Sequence, residues 1–186
     1  MTTVSTPYEA SGRTRQKART RDALLRAAQD CIADGRAPTV EAVADRSGVS
    51  RTTAYRYFPS QHALLRAAHP ETVTTSMLQD DSSSEPDARL DQVIAAFTEM
   101  VLRTEEQQRT MLRLSLQRAP ASALPLRQGR AIGWIEEALL PLRGTLDDQA
   151  LRNLVLAIRS ATGIEALVWL TDVAGLDRGD ARELMR

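Results

Sequence analysis

Cysteine is nearly absent from this 186-residue chain, with Cys31 the only one. A lone thiol excludes a disulfide framework and argues against a structural zinc site. Cys31 lies on an apolar helical stripe, which predicts a buried structural thiol. Aromatic residues make up 4% of the chain and hydrophobic residues 42%. The core must therefore be built mainly from Leu, Ala, Val and Ile. No uninterrupted apolar run reaches the roughly 18 residues of a membrane-spanning helix. The first residues lack the apolar region of a signal peptide, so a cytoplasmic location is expected. Histidine is scarce too, with only His62 and His69. No Ser/His/Asp set, Cys/His pair, phosphate-binding glycine loop or carboxylate–histidine cluster is visible. The adjacent pairs Glu136-Glu137 and Asp147-Asp148 point to different helix faces and read as solvated charge. No catalytic residue, metal or cofactor is expected.

Net charge is absent as well, since 24 Lys and Arg balance 24 Asp and Glu. The balance hides an asymmetry. Residues 1–70 hold 11 basic and 6 acidic residues, and residues 71–186 hold 13 and 18. A basic head on an acidic body suits a chain whose head meets phosphate.

Apolar residues recur throughout at helical spacing, and no sustained period-two run occurs, so the fold class is all-α. Leu24, Leu25, Ala28, Cys31 and Ile32 form one stripe within a helix over residues 21–35. Residues 39–58 hold two short helical patterns joined by Ser47-Gly48-Val49. Thr39 is placed to cap the first, and Val40, Val43 and Ala44 form its inner stripe. Gly48 can take the positive φ that a tight exit needs. Ser50 caps the second pattern, and Pro59 ends it. Ala54 and Phe58 face inward, while Arg51, Thr52, Thr53, Tyr55, Arg56 and Tyr57 occupy the remaining circumference. A short helix rich in hydroxyl, Arg and Tyr groups after such a turn fits the major groove of DNA.

The run SGVSRTTAYRYFPSQHALLRAA resembles the DNA-binding signature of the tetracycline-repressor (TetR) type of transcriptional regulators. The resemblance covers residues 16–76 and continues more loosely beyond. It implies a three-helix head carrying the helix-turn-helix over 39–58, a linking helix after Ser60, and a C-terminal helical bundle for ligand binding and dimerisation. It implies double-stranded operator DNA, an unidentified small-molecule effector and a second copy of the chain as partners, with no membrane. The expected DNA contacts are Thr39, Ser50, Arg51, Thr52, Thr53, Tyr55, Tyr57 and Gln61. Arg51 is the best base reader, and Tyr55 and Tyr57 are backbone clamps. Gln61 departs from the family, which often has Lys there, so a shallower salt dependence is expected. Residues 1–15 are expected to be a disordered basic arm, with Arg13, Arg15, Lys17 and Arg19 on alternate positions.

Pro70 and residues 79–86 read as a linker, and the body spans 86–186. Leu90, Val93, Ile94, Phe97 and Val101 mark its first helix. Thr104 and Gln107 have capping-box spacing and open a second, running through Met111. Residues 119–129 read as a loop, followed by a helix over about 130–142. One long helix is expected over about 147–173. Its stripe of Leu151, Leu154, Val155, Ile158, Thr162, Glu165, Ala166 and Trp169 is the expected dimer interface. Leu156, Leu167 and Leu170 add apolar groups elsewhere, which calls for cover on two sides. An effector pocket is expected to be lined by Met100, Met111, Trp134 and Trp169, with Arg113 and Glu137 as polar anchors. The last segment, 177–186, is shorter than the helix with which family members usually end.

Overall fold

The computed structural model describes residues 7–69, 74–116 and 129–186. Among these every regular element is helical, and the chain divides into two compact units, Met1–Thr72 and Val73–Arg186.

The first unit holds α1 (Pro7–Ala33), α2 (Val40–Ser47), α3 (Arg51–Tyr57) and α4 (Gln61–Ala68). Leu24, Ala28, Val40, Val43, Ala44, Ala54, Phe58 and Leu64 bury their side chains in one cluster. These are the positions that helical periodicity marks as inward. Cys31 is buried, with Arg46 Nη1 3.9 Å from its sulfur. Arg46 also reaches Asp34 at 3.3 Å and Asp30 at 3.8 Å. The two carboxylates sit near the negative end of the α1 dipole, where Arg46 offsets an unfavourable placement.

The start of α1 corrects one expectation. The helix begins at Pro7, so part of the 1–15 segment read as a disordered arm is helical. Proline fits a first helical position because its missing N–H has no partner there in any case. Arg15, Lys17 and Arg19 are exposed side chains on this helix.

The second unit holds α5 (Pro86–Arg103), α6 (Glu105–Leu116), α7 (Arg130–Ala138), α8 (Asp148–Ser160), α9 (Ile164–Val168) and α10 (Arg178–Met185). A 3₁₀ turn over Leu140–Gly144 follows α7, and a π turn over Trp169–Val173 continues α9. Val93, Ile94, Phe97 and Val101 of α5 meet Trp134 and Ile135 of α7, Leu151 and Val155 of α8, and Ile164 and Leu167 of α9. Phe97 and Trp134 pack edge to face, with ring centroids 6.1 Å apart.

Several boundaries differ from expectation. The helix placed over 130–142 stops at Ala138, where Pro141 forces a tighter turn. Residues 79–86 are no linker between units. Met77 and Leu78 pack on the body core, Ser76 Oγ donates to Glu137 at 2.8 Å, and Ser82 Oγ donates to Gln92 at 2.8 Å. Thr104 does not form a capping box with Gln107. Its hydroxyl donates back to Met100 O at 2.8 Å and accepts from Gln108 Nε2 at 2.9 Å. Most of the loop expected over 119–129 lies outside the described residues.

The long C-terminal helix is broken. Thr162 Oγ1 donates to Ile158 O at 3.1 Å, and Gly163 follows at φ +90°. That backbone conformation favours glycine and stops α8. The axis then turns by 40° into α9 and the π turn. No single described helix is long and apolar enough to cross a membrane.

A charged network fastens the parts that follow the break. Arg109 Nε donates to Glu105 Oε1 at 2.7 Å, and its two terminal nitrogens donate to Asp172 at 2.6 and 2.9 Å. Arg178 donates to Glu105 at 2.7 and 2.9 Å. Two carboxylates thus bind α6, the π turn and α10 through charge-assisted forks. Burial pushes the Glu105 carboxyl up, but hydrogen bonds from Arg178 and Arg109 outweigh it and hold it low. The hydrogen bonds from Arg109 hold Asp172 at about 2. A depressed carboxylate contributes its stability above the ordinary range near pH ~4 and loses it as the group protonates. The body is therefore expected to lose thermal stability as pH falls from about 4 to about 2. Asp172→Asn should melt lower at neutral pH and show a flatter acid dependence. Thermal denaturation followed by circular dichroism across that range checks both.

Candidate nucleic-acid interface

The interface is built from two capped helices and the turn between them. Thr39 has extended backbone, and its Oγ1 accepts from Ala42 N–H at 3.2 Å, opening α2. Gly48 ends α2 at φ +66°, and its N–H donates to carbonyls of the last turn. Ser50 opens α3, with Oγ accepting from Thr53 N–H at 3.3 Å and donating to Thr53 Oγ1 at 3.0 Å. Ser60 opens α4 in the same way, accepting from Ala63 N–H at 3.2 Å. Each cap satisfies an otherwise orphaned helical donor.

With Ala54 and Phe58 buried, α3 is anchored on one side and Arg51, Thr52, Tyr55 and Arg56 are exposed on the other. Thr53 and Tyr57 are half-buried. Tyr57 packs against the head core, and the Arg56 guanidinium sits 5.8 Å from its ring centre. Arg21 of α1 lies 5.8 Å from the Phe58 ring. These cationic groups over aromatic faces pin the end of α3.

The expected DNA contacts fall into two groups. Ser50, Arg51, Thr52, Thr53, Tyr55 and Tyr57 lie at the α2–α3 turn or along α3, and Thr39 caps the start of α2. Gln61 is committed elsewhere, because its Nε2 donates to Pro38 O at 3.1 Å. That bond ties the start of α4 to the loop before α2. One amide hydrogen is used in that bond and the second is left over.

Sequence reasoning missed the acidic partners. Arg51 Nη2 donates to Asp45 Oδ2 at 3.2 Å, and Tyr55 Oη donates to Glu41 Oε1. The hydrogen bond from Tyr55 holds the Glu41 carboxyl below its usual range. The same bond pushes the Tyr55 phenol up. Glu41 and Asp45 are four residues apart on α2, so one face of α2 presents both to α3. That spacing was legible in the sequence.

The body residues singled out from sequence are dispersed. Met100 and Trp134 are in the buried core, and Met111 is half-buried on α6. Arg113 is exposed, and Glu137 accepts from Ser76. Trp169 is 59% exposed, so the core of its own unit does not enclose it. A surface cleft of about 410 Å³ is lined by Glu136, Arg143, Asp148, Gln149, Leu151 and Arg152, none of them an expected pocket residue.

The residues of the expected dimer stripe are divided between core and surface. Leu151 and Val155 are buried in their own unit, and Leu154, Ile158 and Ala166 pack against that same core. Thr162 is buried at the break, and Glu165 is exposed. The stripe with the best helical spacing is the one that α8 turns inward. The exposed large apolar groups on these elements are Leu156, Trp169 and Val173.

With this geometry in place, the chain can be set beside known proteins. Residues 24–68 match the family model for bacterial regulatory proteins of the tetR family. The match concerns the head, 45 of the 186 residues. Those residues run from the buried Leu24 of α1 to the end of α4, and so enclose the whole turn and α3. A solved structure of a TetR transcriptional regulator from Rhodococcus sp. RHA1 is similar over 92% of this chain and 93% of its own, at 22% identity and a TM-score of 0.50. That likeness concerns the fold. A search of curated proteins gave no match.

The turn itself can be tested. A Cβ built on Gly48 meets nothing within 4 Å. Gly48→Ala should therefore cost only the left-handed backbone strain of about 1–2 kcal/mol, with no clash added. Urea unfolding checks this. A loss well above that range would mean the position is sterically constrained.

Proposed function

We propose that the protein is a sequence-specific transcriptional regulator that represses from a near-palindromic operator as a homodimer and is released by a small-molecule effector. It would act in the bacterial cytoplasm. The observation that carries this reading is α3, a short helix with one buried face, a capped start at a glycine turn, and Arg51, Thr52 and Tyr55 exposed. A helix so mounted suits major-groove entry, with its N-terminal residues nearest the base edges. Arg51 would read guanine O6 and N7, a contact worth roughly 1–3 kcal/mol of discrimination. Thr52 and Thr53 would meet thymine methyls or phosphates. Tyr55, Tyr57, Thr39 and Ser50 would set the register on the backbone.

The dimer reading is supported by apolar surface. Leu156 is 40%, Trp169 59% and Val173 71% exposed, in a chain that is otherwise poor in aromatics. A second copy covering these groups would give the two heads that a palindrome requires. The effector reading draws on the body core. Thr98 is buried beside apolar α5 neighbours, and its Oγ1 has no hydrogen-bond partner among the described residues. A few polar anchors within an apolar surround are what a small-molecule site needs. A ligand that binds one dimer state better would shift the population away from DNA. A ligand-blind regulator with the same head is the second reading. A thermal-shift screen with lipophilic compounds separates the two, because only the inducible protein gains stability.

Selection from a random duplex pool followed by fluorescence anisotropy tests the DNA reading. The selected site is expected to be a near-palindrome. Arg51→Ala should lose most preference at one base position per half-site while keeping its circular dichroism. Unchanged preference would remove Arg51 as the base reader. Trp169→Glu is expected to shift sedimentation from twice the chain mass toward the single chain and to weaken binding to the full palindrome. A variant that stays dimeric would place the interface elsewhere.

A further inference from the structure

The residues that α3 offers to DNA are already occupied by carboxylates. Asp45 accepts from Arg51 at 3.2 Å, and Glu41 accepts from the Tyr55 hydroxyl. Both acids come from α2, and all four side chains belong to the same two-helix unit. The Arg51–Asp45 pair is open to water, with side chains 65% and 63% exposed. Exposed pairs of this kind contribute little to folding. Placing two negative groups where a polyanion must approach is also electrostatically unfavourable for binding. Structural stability therefore does not account for them.

We propose that Glu41 and Asp45 are specificity-determining residues, which hold Tyr55 and Arg51 away from non-cognate DNA by acting as internal stand-ins for DNA acceptors. The inference rests on Arg51 reading a base. The physical basis is competition. Asp45 takes one nitrogen of the Arg51 fork, whereas guanine offers two acceptors in the matching plane. A cognate base edge outcompetes the single carboxylate bond. An isolated phosphate on random sequence gains less over it, because one anion merely replaces another. Arg51 thus stays on Asp45 in non-specific complexes and adds nothing to their affinity. The Tyr55 hydroxyl is held from phosphate in the same way. The result is a wider gap between operator and random sequence, obtained by weakening the random complex.

The test uses Asp45→Asn, Glu41→Gln and Arg51→Ala variants of the full chain, with two labelled duplexes. One is the site selected by the unaltered protein, and the other is a random-sequence duplex of equal length. Freeing Arg51 adds one phosphate contact to the random complex. Asp45→Asn should therefore bind random duplex about 5- to 10-fold tighter at low salt. Its log–log salt slope should steepen by about one contact, near 0.9. Affinity for the selected site should rise less than about threefold, so discrimination falls. Glu41→Gln should act in the same direction with a smaller effect. In the Arg51→Ala background, Asp45→Asn should bring only a small gain, equal on both probes, from the lost negative charge. An equal gain on both duplexes with Arg51 present, or a random-duplex gain that survives in full in the Arg51→Ala background, means simple loss of negative charge and overturns the proposal. An unchanged random-duplex slope overturns it too. If the unaltered protein selects no site, the DNA-reading function fails first and the proposal falls with it. If it selects a site and only the Asp45 effect is missing, the function stands and the proposal alone is wrong.

Discussion

The interface depends on how closely three short helices can approach one another. Ala44 of α2 and Ala54 of α3 are both fully buried in the head cluster. Small residues there let α2 and α3 pack backbone to backbone, with Gly48 supplying the left-handed turn that makes the approach possible. Everything exposed on α3 follows from that anchoring. A helix of seven residues is too short to persist alone. Its orientation is set by Ala54, Phe58 and the Ser50 cap rather than by propensity. Arg51, Thr52 and Tyr55, exposed on the other side, carry none of that packing.

The head was legible in sequence because its signals are local. Three caps, one obligatory glycine and one proline fix the boundaries of α2, α3 and α4, and short helices leave periodicity no room to drift. The body was less legible because its decisive features are contacts between distant residues. No local pattern tells that Glu105 would be gripped by both Arg109 and Arg178, a pairing across 73 residues. Nor does spacing tell which of two apolar stripes on α8 turns inward. Leu151, Val155 and Leu156 are all apolar, and only packing against α7 decides that the first two are covered. Gly163 was visible, but a glycine within a strong helical pattern is usually tolerated. Its positive φ became evident only in the fold.

The interruption after α8 has a consequence for the C-terminal elements. A continuous helix over 148–173 would carry its own hydrogen bonds throughout. A break followed by a π turn leaves that segment dependent on outside support. The support is apolar through Ile164, Leu167 and Leu170, and polar as well. Arg109 grips Asp172 and also donates to Thr171 at 3.0 Å, and Thr171 in turn donates to Leu167 O at 2.9 Å. At the far end Arg186 forks onto Asp91 at 2.7 and 2.8 Å. The hydrophobic core closes α5, α7 and α8 and takes in Leu170, Ala181 and Met185, while charged forks hold the polar sides of the π turn and α10.

The two tryptophans show what such support permits. Trp134 fills the core edge to face with Phe97, as a scarce aromatic in an aliphatic protein is expected to do. Trp169 opens the π turn and stays largely in water, with Val173 four residues later still more exposed. A π turn widens the helix and re-aims the residues on it. The Arg109 fork holds the polar side of that turn, at Thr171 and Asp172, against the unit. Keeping a large ring in water forgoes the burial that a core position would supply, roughly 25 cal/mol per Å² of apolar surface. Within one chain that loss has no return. It is recovered only when another surface covers the ring, and the proposed second copy would supply that surface through a turn that the charged network holds in shape.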